Sequence, residues 1–241
     1  EIRADAARLE QPIEQGDARS SANAAARNDA AAQTAAVVPE NEPRVCGTDT
    51  CFSVSVVARG IGAIERILPL PDGRSLLVRG AREVLALGAN GLDDAYVLQA
   101  PPGSTATIAD IAAAATVDRD HLVYLAVVLR DDETSPARVR IVRLRESGGT
   151  LSDPASVLPD MPIHGDGSPA LAADASGRVF LSMPGRAADA NDPLDSAILA
   201  FTSQGVAAGR ARGSMMFAHG VERPGALAIG ADRLYVTAAD Q

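Results

Sequence analysis

The residues able to do chemistry are few, and they sit in loops. The 241-residue chain holds three histidines, His121, His164 and His219. His164 lies in the polar, glycine-rich run IHGDGSP at residues 163–169, with Gly165 and Gly167 close behind it and an apolar stretch following. An imidazole titrates near neutral pH, so it can take up and return a proton, and glycine lets a backbone approach a flat ligand closely. Asp118, Asp120 and His121 stand together in DRDH, a tetrad that opens an apolar run and reads as a turn rather than a metal site. Asp189, Asn191, Asp192 and Asp195 form an oxygen-rich loop with calcium-like ligand types, without the glycine that turns such loops. His219, between Ala218 and Gly220, reads as a histidine on the rim of a strand.

Cys46 and Cys51 are separated by Gly-Thr-Asp-Thr. That span closes a small disulfide loop in an oxidising compartment, and two free thiols are the alternative. Two thiolates alone do not fill a zinc site, and the Cys-x-x-Cys-His signature of haem attachment is absent. The sequence contains no Gly-x-Ser-x-Gly elbow, phosphate loop or His-Glu-x-x-His helix.

Composition narrows the function classes. Aromatic residues make up 3% of the chain, Trp is absent, and the formal net charge is −9. Stacking platforms for single-stranded nucleic acid need aromatic faces, and nucleic-acid binding in general needs a basic patch; neither is present. No run of about 18 apolar residues is available to span a bilayer. The opening Glu-Ile-Arg-Ala-Asp has neither the basic nor the apolar region of a signal peptide, so the chain is cytosolic or a processed form. The cysteine pair favours an extracytoplasmic place.

Two textures divide the chain. Residues 1–45 are rich in Ala, Gln, Asn, Arg and Asp, with no persistent apolar stripe, and read as a polar arm or linker that a partner would order. Residues 46–241 consist of short β-type runs between turn signals. One phrase, strand–turn–strand, returns at residues 68–78 (LPLPDGRSLLV), 111–129, 163–183 and 226–237 (ALAIGADRLYVT). In the first, Pro presets φ and Gly tolerates positive φ in the turn. A phrase recurring roughly every 50 residues predicts radially arranged sheets, as in a β-propeller. The expected fold is all-β, a partial propeller of about three and a half four-stranded antiparallel blades with an irregular N-terminal arm. The last unit stops after two strands; either FSVSVVA at residues 52–58 is borrowed to complete it or residues follow Gln241.

The order of these phrases resembles the soluble pyrroloquinoline-quinone-dependent glucose/sorbosone dehydrogenases, a family of six-bladed periplasmic propellers. The segments that carry the likeness are LPLPDGRSLLVRGAREVLAL (68–87), ARVRIVRLR (137–145), VLPDMPIHGDGSPALAADASGRVFLSM (157–183), GRAADANDPLDSAILAF (185–201) and FAHGVERPGALAI (217–229). The resemblance implies His164 as general base on the anomeric hydroxyl of an aldose or polyol, Arg223 as a cofactor contact, and the quinone and calcium as cofactors. Two departures oppose this. Ser182-Met183-Pro184-Gly185-Arg186 replaces the family's Gly-Asp run. Val221 and Glu222 occupy the places of a His-Arg pair, with Arg223 displaced by one. The preferred expectation is therefore a non-catalytic propeller without a cofactor, docked through its arm and loops in a larger extracytoplasmic complex. A quinone-dependent sugar dehydrogenase is the alternative.

Overall fold

The computed structural model describes residues 44–48, 50–53, 56–132, 134–164, 167–185, 194–221, 224–230 and 233–238. The chain divides into two compact units, Glu1–Ser55 and Val56–Gln241. In the first, β1 (Arg44–Cys46) pairs antiparallel with β2 (Cys51–Ser53), and Cys46 faces Cys51 across the register. The two cysteines are joined in a disulfide, as their spacing anticipates. The FSVSVVA run does not form one continuous strand. Only Phe52 and Ser53 belong to β2, and residues 56–59 are irregular, with Val56 and Val57 exposed. Alternation favours a strand only where a neighbouring strand takes up its hydrogen bonds.

The second unit is built of antiparallel sheets. The first sheet runs β3 (Ile64–Pro69), β4 (Ser75–Arg79), β5 (Glu83–Gly88) and β6 (Gly91–Val97), in that order. The second runs β7 (Thr105–Ala113), β8 (Leu122–Arg130), β9 (Arg138–Ser147) and β10 (Thr150–Ser156). A single helical turn, α1 (Val117–Asp120), joins β7 to β8, and β11 (Met161–Pro162) adds a short pairing to β9. The third is β12 (Ala170–Ala173), β13 (Arg178–Ser182), β14 (Ile198–Thr202) and β15 (Met216–Ala218). The hairpin of β16 (Pro224–Gly230) and β17 (Arg233–Ala238) ends the series. These are the three and a half blades expected from the returning phrase, and among the described strands no sheet closes on itself.

One boundary differs from the sequence expectation. The second blade ends in TLSDPAS, where the run ASVLPDM at residues 155–161 reads from sequence as its outer strand, because the Gly148-Gly149 turn starts the return strand immediately. Pro154 is tolerated there because β10 is an edge strand.

Side-chain alternation explains how nearly continuous apolar strands stack as blades. On β8, Val123, Leu125 and Val127 face a core shared with Leu76, Val78, Val84 and Ala86 of the first sheet. Tyr124 and Ala126, on the opposite face, pack with Leu171, Val179, Leu181 and Phe201 of the third. Within the third sheet, Phe180, Ile198 and Ala200 turn the other way, toward Leu227, Ile229, Leu234 and Val236. A strand buried on both faces loses the apolar–polar alternation and reads as an unbroken hydrophobic run.

The hairpin turns are braced by their aspartates. Asp72 accepts bonds from the Arg74 amide (3.0 Å) and the Arg74 Nε (2.7 Å), around Gly73 at φ 85°. Asp174 does the same for Ser176 and Arg178. Arg74 also reaches across to the second sheet, donating to Glu146 Oε1 at 2.7 Å, and the same oxygen accepts the Gly149 amide at 2.8 Å. Glu146 is 5% exposed, so this carboxylate is a buried clamp between blades. Glu146→Ala would leave the Gly149 N–H buried without an acceptor, which costs about 2 kcal/mol. We expect urea denaturation to show a loss of that size. A loss indistinguishable from zero would contradict the clamp.

Candidate functional site

Each sheet presents its first strand at its inner edge, and these edges are neighbours: β3 contacts β7, β7 contacts β12, and β12 contacts β16. Together they line a concave cavity of about 1980 Å³. Its wall is mostly apolar, from Ile67, Leu68, Ile111, Ala113, Leu171 and Ile229. A second cavity of about 490 Å³ opens beside it, lined by Glu65, Arg66, Thr107, Arg130, Ile163 and Ser168 among others. Arg66, Gly167 and Ser168 line both.

The polar centre of this region is Asp110. Oδ2 accepts the Leu171 amide of β12 at 2.7 Å, Oδ1 accepts the Ile111 amide at 3.0 Å, and Arg66 Nε of β3 lies 3.3 Å from Oδ1. One carboxylate thus joins the inner strands of three blades. Both partners of the ion pair sit beside register shifts, between Ile64 and Arg66 on β3 and between Ile108 and Asp110 on β7. An extra residue in a strand re-aims the side chains next to it. Burial pushes the Asp110 carboxyl above its usual range, opposed by the two amides and by Arg66.

Ser182 provides the companion link. Its fully buried hydroxyl accepts the Ala170 amide at 2.9 Å and faces the Gly225 carbonyl of β16 at 3.4 Å. Two successive amides of β12 therefore end on side chains.

His164 lies on the loop from β11 to β12 and is exposed. Its neighbours Ile163, Gly167 and Ser168 reach the cavities, but His164 is not among the described lining residues. Gly167 does permit close approach, and what approaches is the chain itself: a Cβ there would stand 2.7 Å from Pro184 Cβ. Gly185 is tighter, since a Cβ would meet the Ser196 amide nitrogen at 2.5 Å. Arg223, Glu222 and Gly165 lie outside the described residues, as do Asp189, Asn191 and Asp192. Asp118 and Asp120 belong to α1, and His121 caps it with left-handed backbone at φ 57°. His219 follows β15 and is exposed. Among the described residues no cluster of three His, Cys, Asp or Glu side chains has the makings of a metal site.

The sequence does not single out Arg66 or Asp110, and it marks Ser182 only as a departure from the family's Gly-Asp run. The signal was present for Asp110, the one charge in the run TIADIAAAA at residues 107–115.

No family model matches the sequence, and no curated protein sequence matches it. Solved structures do match. The soluble aldose sugar dehydrogenase of Escherichia coli, in its apo form, aligns with a TM-score of 0.59 at 18% identity over 75% of this chain and 58% of its own. A Thermus thermophilus protein of the glucose dehydrogenase type aligns at 0.54, with 21% identity over 73% of this chain and 58% of its own. A further glucose dehydrogenase aligns at 0.53 and 18% identity, over 73% and 57%. The chain shares part of the propeller fold of these structures. The chain spans less than two thirds of the length of each of these structures.

Magnitudes separate the two halves of the Asp110 contact. Asp110→Ala strands two amides away from water, for about 2–3 kcal/mol. Arg66→Ala returns a half-exposed pair to solvent, for less than about 1 kcal/mol. Chemical denaturation of the two variants should give that order. A larger loss for Arg66→Ala would show that the ion pair, not the amide capture, holds the blades.

Proposed function

We propose that this chain is a degenerate sugar-dehydrogenase-like propeller that acts as a binding or assembly subunit of a larger extracytoplasmic complex, without turnover of its own. The observation that carries this reading is the use made of the polar groups around the His164 loop. Asp110 and Ser182 are spent on backbone groups of their own and of the neighbouring blade, so neither is free to orient a base or a reacting hydroxyl. A general base contributes about 10²–10⁴-fold only when it is held in reach of the proton it takes.

The donor set also fits poorly with the quinone that the resemblance implies. Pyrroloquinoline quinone carries three carboxylates, whereas Arg66, the arginine at the junction of the two cavities, is already paired with Asp110. The Cys46–Cys51 disulfide supports an oxidising, periplasm-like compartment. Among the described residues, no helix is long and apolar enough to cross a membrane. Residues 1–43 of the N-terminal arm (1–45) lie outside the described residues, while Arg44 and Val45 belong to β1, and the arm's part in docking belongs to the same proposal.

The second reading is a quinone-dependent aldose or polyol dehydrogenase with His164 as general base and Arg223 on the cofactor. It is favoured by the fold shared with the aldose sugar dehydrogenase and by the position of the His164 loop beside the cavities. The two readings part in one assay. Purified protein supplied with pyrroloquinoline quinone, calcium and an aldose should reduce no dye, and His164→Ala should behave as the parent does. Aldose-dependent turnover abolished by His164→Ala would establish the dehydrogenase reading instead.

A further inference from the structure

Asp or Asn precedes a glycine at Asp72-Gly73, Asn90-Gly91 and Asp166-Gly167, and Asn90 is the only asparagine so placed. Asp166 lies outside the described residues. Asn90-Gly91 turns β5 into β6: Gly88 and Gly91 form the closing pair, and Ala89 and Asn90 make the exposed tip. Gly91 stands at φ 111°, a backbone that glycine alone adopts freely. Apart from its chain neighbours, no atom lies within 4 Å of where its Cβ would be. The Gly91 nitrogen is therefore unshielded on that side.

Asp72 and Asn90 each precede the glycine of a hairpin turn in the first sheet, and they are restrained in opposite ways. Short Asp and Asn side chains in turns commonly accept a bond from the backbone just ahead of them. Asp72 does so, taking the Arg74 amide at 3.0 Å and Arg74 Nε at 2.7 Å. The side-chain bond from Arg74 holds its carboxyl below the usual range, so it stays an ionised and unreactive carboxylate. Asn90 has no such tether; its carboxamide takes no partner among the described residues. Its carbonyl carbon is free to meet the nitrogen of the next residue, and two reacting groups so close along one chain react far faster than separate molecules.

From this contrast we propose that Asn90 is a modification site, where the folded protein deamidates spontaneously to aspartate and isoaspartate. The Gly91 nitrogen gives up its proton to hydroxide and bonds to Asn90 Cγ; the Cγ–Nδ2 bond breaks and ammonia leaves. Water then opens the cyclic imide. Opening at Cγ gives aspartate, and opening at the main-chain carbonyl gives isoaspartate, whose backbone runs through the former side chain. No oxidant or reductant takes part. Either product adds a carboxylate beside the exposed Asp93 and Asp94 on β6, whose outer edge pairs with no further strand among the described residues. Charge on such an edge opposes pairing with other chains. The isoaspartyl form is also a substrate for carboxyl methyltransferases that use S-adenosylmethionine.

The test ages the native full chain at physiological temperature in mildly alkaline buffer and follows its peptides by mass spectrometry. Isoaspartyl methyltransferase with labelled S-adenosylmethionine is the probe for the isomer. The Asn90 peptide should gain about 1 Da and become methyl-accepting, faster as the pH rises, while the Asp72 peptide accepts no methyl groups. Asn90→Gln should abolish the signal and leave the urea midpoint unchanged. A hairpin tip opens at little cost, so the native rate should lie within about tenfold of the rate in the urea-unfolded chain. An Asn90 peptide that stays unchanged overturns the proposal, as does a native rate more than about tenfold below the unfolded one. Methyl acceptance at Asp72 equal to that at Asn90 in the native protein overturns it too, because the Arg74 tether would then make no difference. None of these results bears on the dye-reduction assay.

Discussion

The second unit depends on how its inner strand edges are held. Sheets stacked radially pack through their faces, but the first strand of each sheet has an edge with no further strand to pair with among the described residues. Unpaired backbone groups in a packed region are costly. Asp110 answers this by accepting amides from its own strand and from β12 while facing the guanidinium of Arg66 on β3. A hydrocarbon side chain there would leave the Leu171 amide without its acceptor and the three inner strands without a common partner. Farther from the axis, Glu146 repeats the device between the first two sheets through Arg74 and the Gly149 amide. Arg143 does so between the second and third by donating to the Ser203 carbonyl at 2.8 Å.

Packing and polar clamping divide the work. The apolar cores supply most of the driving force, because each central strand buries both faces, as β8 does with Val123, Leu125 and Val127 on one side and Tyr124 and Ala126 on the other. Apolar contact is not directional, so it does not by itself select the register between neighbouring blades. Carboxylates and hydroxyls with fixed acceptor positions do. The same side chains, Asp110 and Ser182, also hold backbone amides of β12, the strand that follows the His164 loop.

Much of the architecture was legible because its signals are local. Pro71-Asp72-Gly73 and Asp174-Ala175-Ser176-Gly177 mark hairpins through their own turn chemistry, and the apolar runs between them mark doubly buried strands. The Cys46–Cys51 bond followed from spacing. Less was legible where partners come from distant sequence. Asp110 and Leu171 are 61 residues apart, and Arg74 and Glu146 are 72 apart. No period or spacing announces such pairs. Gly167 shows the complementary limit: the sequence calls for close approach at that position, but only the fold reveals that Pro184 is what comes close. The strand expected across residues 52–58 failed for a related reason, since a local pattern does not reveal whether a pairing partner exists.

Native-state amide hydrogen exchange tests the central claim, that side chains close the inner edge of the blades, most directly. The Leu171 amide is the site to follow, because β12 pairs only with β13 among the described strands and this N–H is held by Asp110. If the clamp is as described, Leu171 exchanges as slowly as ladder-bonded amides in β13, since both open only when the sheets separate. Exchange of Leu171 as fast as that of an exposed loop amide would contradict it.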